Sequence, residues 1–244
     1  NGNTYVAYCW KANGGTTSSN GDGNITSTVQ ANTDAGFSIV KYSGTGSNVQ
    51  VGHGLDAAPK MVIFKNLTDS VNWYVWTTAT GSLARLEGLN TTSAAVTSGL
   101  GTTLGASTID FTNTSDFSTS GKDYIMYCFR DIDAYSKIGS YTGNGSDNGP
   151  IVKTGFEPAF LMVKRTDSGS SVWTIYDNKR NTTNPRDKLL HPNLSNAEAT
   201  ASSYQFNFLS NGFQPNGTST DINASGGTYI YMAFAADPDT EAPT

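Results

Sequence analysis

The sequence predicts an all-β protein made of tandem antiparallel β-sandwich, jelly-roll-like repeats, and three observations predict it. Apolar runs are short and bounded by Gly, Asn, Pro and Ser, which is the punctuation of strands. Asn144-Gly145, Asn211-Gly212, Asn216-Gly217 and Gly44-Thr45-Gly46 supply the positive-φ positions that tight hairpin turns need. A motif of Tyr-aliphatic-x-Tyr/Met-Cys/Ala-aromatic also occurs three times, as Tyr5-Val6-Ala7-Tyr8-Cys9-Trp10, Tyr124-Ile125-Met126-Tyr127-Cys128-Phe129 and Tyr229-Ile230-Tyr231-Met232-Ala233-Phe234. That spacing is longer than a solenoid repeat and approaches a whole small domain.

Other blocks recur in the same order. Phe37–Gly46 matches Ser136–Gly145, with Tyr42-Ser43-Gly44 against Tyr141-Thr142-Gly143. The run Gly54–Lys65 matches Gly155–Lys164, and Trp73–Trp76 matches Trp173–Tyr176. Two complete units follow, at 37–131 and 136–237. Residues 1–12 read as the closing strand of a preceding repeat, 13–36 as a Gly/Ser/Thr/Asn-rich linker, and 238–244 as a polar tail. Because the chain opens inside a copy of the motif, a processed product or a piece of a longer array is expected. The Arg130-Asp-Ile-Asp-Ala134 connection is short, so the two units are expected to be held rigidly together.

Taken in order, Met61–Phe64 and Phe160–Val163 are unbroken apolar runs, expected as strands buried on both faces. Pro59 and Pro158 precede them, where a missing N–H does least harm to a ladder. Trp73–Trp76, Val172–Tyr176 and Tyr204–Phe208 are aromatic or β-branched and also read as strands. Asn193–Thr200 is the one segment with helical character, one turn or two. In the closing motif adjacent aromatics point to opposite faces, one row into the unit's own core and the other toward a neighbour.

Composition narrows the function classes. Only 14% of residues are charged, against roughly 25% in an ordinary globular domain. The aromatic share of 11%, with 12 Tyr and 4 Trp, supplies the apolar area that disordered chains lack. The net charge is −5 and no basic cluster exists, so the phosphate backbone of a nucleic acid is not an expected partner. No run of 18 apolar residues is present, and membrane insertion is not expected. Cys9 and Cys128 occupy the same place in successive motif copies, where the third copy has Ala233. They therefore read as a small inward packing position and not as a disulfide.

Catalytic constellations are scarce. His53 lies in Gly52-His53-Gly54, and the second unit has Thr154 at the same place, so it reads as a turn histidine. His191-Pro192 reads as a loop. No His-x-x-x-His or Cys-x-x-Cys pair exists, so neither zinc nor any other cofactor is expected. Asn20-Gly-Asp-Gly-Asn24 and Asp147-Asn148 lack the bidentate acid of a calcium loop and read as Asn/Gly turns. Glu157, Asp167, Asp177, Asp187 and Glu198 are the acids available for a glycosidase pair. They sit in turns or beside basic residues, and the expectation is a protein that is not an enzyme. Trp73, Trp76, Trp173 and Tyr176 are the candidate binding residues, either as sugar-stacking platforms or as packing between modules, with packing the default.

The blocks Tyr5–Ala12, Ala35–Tyr42, Val51–Leu55, Gly139–Gly145, Leu209–Phe213 and Asn223–Phe234 resemble a repeated β module of marine bacteriophage structural proteins, a companion of concanavalin-like domains in tail-fibre-like and virion-surface proteins. The resemblance covers almost the whole chain. It implies a non-enzymatic virion protein. The leading expectation is therefore a tail fibre, spike or outer-shell appendage displayed to the outside, with other virion proteins and a host-surface glycan as the expected partners. Because such appendages are symmetric, a homo-oligomer is expected, with a trimer the leading state. The competing expectation is a carbohydrate-binding, lectin-like module of a secreted or surface protein. The family supplies no binding or catalytic residues to carry over.

Overall fold

The computed structural model describes residue 2, residues 4–112 and residues 114–235. The tail assigned to 238–244 and the last residues of the second unit lie outside the described residues. Two strands come first, β1 (Ser18–Asn20) and β2 (Ser27–Asn32). The first unit then runs β3 (Phe37–Ser43), β4 (Val49–Gly52), β5 (Met61–Asn66), β6 (Tyr74–Thr77), β7 (Ala84–Leu86), β8 (Ala95–Val96), β9 (Thr102–Leu104), β10 (Thr108–Phe111), a single turn α1 (Thr114–Phe117) and β11 (Asp123–Phe129). The second unit repeats the series as β12 (Ser136–Thr142), β13 (Val152–Lys153), β14 (Pro158–Arg165), β15 (Trp173–Asp177), β16 (Lys188–Leu189), β17 (Ala199–Thr200), β18 (Phe206–Leu209), β19 (Gly212–Pro215), α2 (Thr220–Asn223) and β20 (Thr228–Ala235).

Each unit is an antiparallel β-sandwich. In the first, the sheet β1-β2-β3-β11-β5-β6-β7-β8 faces β4-β10-β9; in the second, β12-β20-β14-β15 faces β13-β19-β18. The closing strand of each unit lies inside the larger sheet, between β3 and β5 or between β12 and β14. Its alternation decides the layering. Tyr124, Met126 and Cys128 enter the first unit's own core with Val40, Phe64 and Phe111. Tyr229, Tyr231 and Ala233 enter the second unit's core with Leu161, Phe206 and Phe213.

The opposite faces of the same two sheets meet each other. Phe37, Met61, Val75, Leu86 and Phe129 of the first unit form one cluster with Ile138, Met162, Trp173, Met232 and Phe234 of the second. The order is therefore sheet, core, sheet, core, sheet, core, sheet. The two central sheets are buried on both faces, which is why their middle strands read as unbroken apolar runs in the sequence.

A tyrosine pair repeats inside each sandwich. Tyr42 stacks on Tyr124 at 5.1 Å and Tyr141 on Tyr229 at 4.9 Å. Each first hydroxyl donates to a carbonyl of the following helical turn, Tyr42 to Phe117 at 2.5 Å and Tyr141 to Ile222 at 2.7 Å. Each second hydroxyl accepts a backbone amide, from Thr119 and Ala224. The chain must pass close to that turn, and a Cβ at Gly44 or Gly143 would stand only 2.3 or 2.4 Å from a carbonyl oxygen. The Tyr-x-Gly-x-Gly signature is the sequence record of this approach.

Three expectations are corrected. Residues 13–36, read as a linker, contain β1 and β2, and β2 pairs with β3 along five residues; Ser27 and Val29 point inward while Thr28 is exposed, an alternation hidden by polar composition. Residues 4–12, read as a closing strand, form no strand among the described residues. Their side chains pack instead: Trp10 contacts Phe129, Phe160 and Phe234, so the last aromatic of all three motif copies meets in one cluster. Asn193–Thr200 has no helix. The Asn193 side chain accepts the Trp173 amide, and Thr200 pairs with Lys188.

The units differ by a compensated exchange. Met126 lies opposite Val40, whereas Tyr231 lies opposite Gly139, and a Cβ on Gly139 would stand 2.7 Å from the Tyr231 hydroxyl. Gly139→Val is expected to destabilise the chain by about 1–3 kcal/mol through overpacking. Adding Tyr231→Met should restore most of that loss, as read by urea unfolding in a double-mutant cycle. Additive losses would show that the two positions do not share one volume.

Candidate functional site

The structure separates the four candidate aromatics. Trp76 and Tyr176 are fully buried, each in the core of its own sandwich. Trp173 is 1% exposed in the cluster shared by the two units, and its indole N–H donates to the Gly88 carbonyl of the first unit at 3.2 Å. Sugar stacking on these three is shut off by burial; Trp173 packs between modules, while Trp76 and Tyr176 pack within them. Trp73 is different. It is 36% exposed and lies nearly parallel to Tyr127, with centroids 6.5 Å apart. The Asn90 carboxamide accepts its backbone amide.

His53 is buried. Its Nδ1 accepts the Leu55 amide at 3.1 Å, and its Nε2 faces the Gly105 carbonyl at 3.3 Å, which fixes a neutral tautomer with the proton on Nε2. Thr154 fills the same role in the second unit, its hydroxyl donating to the Phe156 carbonyl at 2.6 Å. The histidine is thus a turn fastener. His191 faces the Trp173 carbonyl through Nδ1 at 2.8 Å.

Three of the five acids, Asp167, Asp177 and Glu198, are committed as well, while Glu157 is exposed and, among the described residues, neither it nor Asp187 is brought beside a second acid. Asp167 pairs with Arg165. Asp177 accepts the Tyr8 hydroxyl at 2.7 Å, the Arg180 guanidinium at 2.5 Å, and the Lys179 and Arg180 amides. Arg180 also reaches Glu198 at 2.9 Å. Burial alone would raise the Asp177 carboxyl, but the Arg180 amide, the Tyr8 hydroxyl and the guanidinium outweigh it and hold it below the usual carboxylate range. Two acids spanned by an arginine are a structural clasp that ties the N-terminal segment to the second unit. Beside it runs an open groove of about 430 Å³, lined by Tyr8, Trp10, Tyr135, Phe160, Asp177 and Lys179 among others. Sequence reading missed this clasp, because Tyr8 and Asp177 are far apart in the chain and only the fold joins them.

Among the described residues no group of three His, Cys, Asp or Glu is arranged to hold a metal ion. The inward packing position expected of the motif holds for Cys128 and Ala233 but not for Cys9, which is exposed because its segment joins no sheet; both cysteines are free, and burial pushes the Cys128 thiol up to about 12. Lys164 is fully buried, its ammonium donating to the Arg165 carbonyl at 2.7 Å and toward Thr92 of the first unit at 3.4 Å. Burial brings it down to about 8, against the attraction of Asp221.

The fold and these sites define an all-β module of two sandwiches whose conspicuous polar side chains are mostly engaged in its own architecture. The chain belongs to the family described as a domain of unknown function (DUF7483), whose model matches residues 1–238. No curated protein and no solved structure matches it.

Two pH dependences follow. Burial depresses the His53 pKa, so the unfolded chain takes a proton near pH 6.5 that the folded one refuses. The His53 contribution to stability is fully present above that pH and is lost as pH falls through the lower folded value. His53→Thr should abolish this component, seen as a smaller drop in urea midpoint between pH 7.5 and 5. For Lys164, the unfolded chain holds its proton up to about pH 10.4, so stability should rise with pH from about 8. Lys164→Met should flatten that rise between pH 8 and 10; an unchanged slope would remove the lysine as its source.

Proposed function

We propose that this protein is a non-enzymatic structural component of a bacteriophage virion, a tail fibre, spike or outer-shell appendage displayed at the particle surface. The observation that carries the reading is the ordered set of sequence blocks resembling the marine phage module, extending over almost the whole chain. The architecture supports it. Two sandwiches share a continuous apolar cluster, a design that resists independent movement of the two units. Low charge with many hydroxyl and amide side chains suits persistent exposure, and symmetric assembly, with a trimer the leading state, suits an appendage.

Decoration of purified virions with an antibody against the folded chain tests this directly. Symmetric labelling at the tail or shell is the expected image, and light scattering of the isolated protein should give the mass of an oligomer. Absence of the chain from intact particles would sink the proposal.

A second reading, a lectin-like module, rests on Trp73, a half-open indole backed by Tyr127. It requires saturable binding on a glycan array that Trp73→Ala abolishes without loss of fold. Binding that survives this substitution would move the sugar site elsewhere, and no binding at all would leave the structural reading alone.

A further inference from the structure

The two sandwiches are alike strand for strand, yet among the described residues only one has its flank closed. In the first unit the segment from Asn24 to Asn32 crosses the open side of the sandwich and fastens both sheets. Thr28 pairs with Lys41 on the edge of β3. Ser27 donates its hydroxyl to the Gly52 carbonyl at 2.7 Å, and Asn24 accepts the Gln50 amide at 2.7 Å, both on the edge of β4. Ile25 bridges to Val51 in parallel. The approach is so tight that a Cβ on Gly23 would stand 1.8 Å from the Gln50 carbonyl oxygen.

The equivalent groups of the second unit can be named from register. His53 and Thr154 make matching amide bonds across their sheets, to Ser107 and Asn211, so Gln50 and Gly52 correspond to Ile151 and Lys153. Tyr42 and Tyr141 match through their stacked partners, so Lys41 corresponds to Ser140. The alternation that turns the Ser136 and Ile138 amides outward, to Ile132 and the Asp131 carboxylate, turns the Ser140 and Thr142 amides outward too. Among the described residues no hydrogen bond engages these outward groups of Ser140, Thr142, Ile151 and Lys153. All four residues are exposed, and Ile151 is 64% exposed where the first unit has Gln50.

We infer that this flank, the edge of β12 at Ser140–Thr142 together with the edge of β13 at Ile151–Lys153, is a docking seam for an extended segment of a neighbouring polypeptide of the Asn-x-x-Ser-Thr type. The chemistry of the occupant is displayed by the molecule itself: a carboxamide to accept the Ile151 amide, a hydroxyl for the Lys153 carbonyl, and a backbone edge for Ser140. This is strand addition, in which main-chain bonds give affinity and a few side chains give register. The seam is short because Asp131 caps Ile138 and pairs with Lys137, which guards the rest of the β12 edge against indiscriminate pairing.

The test uses the full chain, isotopically labelled, titrated with a synthetic peptide of the sequence Asn20–Asn32. Saturable amide shifts centred on Ser140, Thr142, Ile151 and Lys153 are expected. Ser140→Pro and Ile151→Pro each remove one outward amide from a different sheet, and each should weaken binding about five-fold, one hydrogen bond's worth. Either variant keeps the test alive if the other fails to fold. Shifts centred on Gln50 and Gly52 would mean exchange with the chain's own segment and would overturn the inference. So would equal binding of a scrambled peptide, unaltered affinity in both variants, or no shift at millimolar peptide.

Discussion

The constraint on which the rest depends is that the larger sheet of each sandwich must bury both of its faces. The closing strand of each unit enforces it with two apolar rows, one on each face. Tyr124, Met126 and Cys128 on one side and Tyr127 and Phe129 on the other leave no polar face for water, and β20 has the same arrangement with Tyr229, Tyr231 and Ala233 against Ile230, Met232 and Phe234. A sandwich built this way is incomplete alone, since exposing the second face would leave a broad apolar surface in solvent. Each unit therefore supplies the cover for the other, and the pair is the stable unit.

Once that arrangement is fixed, positions that are equivalent by repeat cease to be equivalent by environment. Trp73 and Trp173 occupy matching sites, but only the second is covered, by Gly88 of the opposite unit. His53 and Thr154 perform the same backbone fastening with different chemistry. Met126 with Val40 and Tyr231 with Gly139 fill comparable space with the volume moved from one strand to the other. The strap of residues 4–12 belongs to neither unit. It fills the rim of the shared cluster with Trp10 and is pinned by the Tyr8 to Asp177 bond.

Legibility followed the kind of signal involved. Apolar runs, Asn-Gly turns and the tripled motif report local backbone and burial period, so the β class and the repeat series could be read from Met61–Phe64, Phe160–Val163 and Tyr42-Ser-Gly44. The β2 strand was hidden because Ser27, Thr28 and Gln30 look like linker residues, and only an edge position beside β3 makes them a strand. Residues 5–10 misled for the opposite reason: their pattern is that of a strand, but a strand needs a sheet edge to join, and the fold offers a side-chain cluster there. Of the four candidate aromatics, burial closed three and left Trp73, a distinction that no spacing rule carries.

By itself the sequence determined the β class, the repeated element series, the two-faced closing strand of the two complete units and the inward position of Cys128 and Ala233, because each is set by local periodicity and side-chain size; Cys9, which no sheet holds, is exposed. Tertiary structure alone decided which faces meet, that the polar 18–32 segment closes the flank of the first unit, and that Tyr8, Asp177, Arg180 and Glu198 form one clasp. The physical reason is range. Pattern along a chain encodes what a residue needs, whereas the partner that meets the need comes from residues distant in sequence, brought near only when the sheets pack.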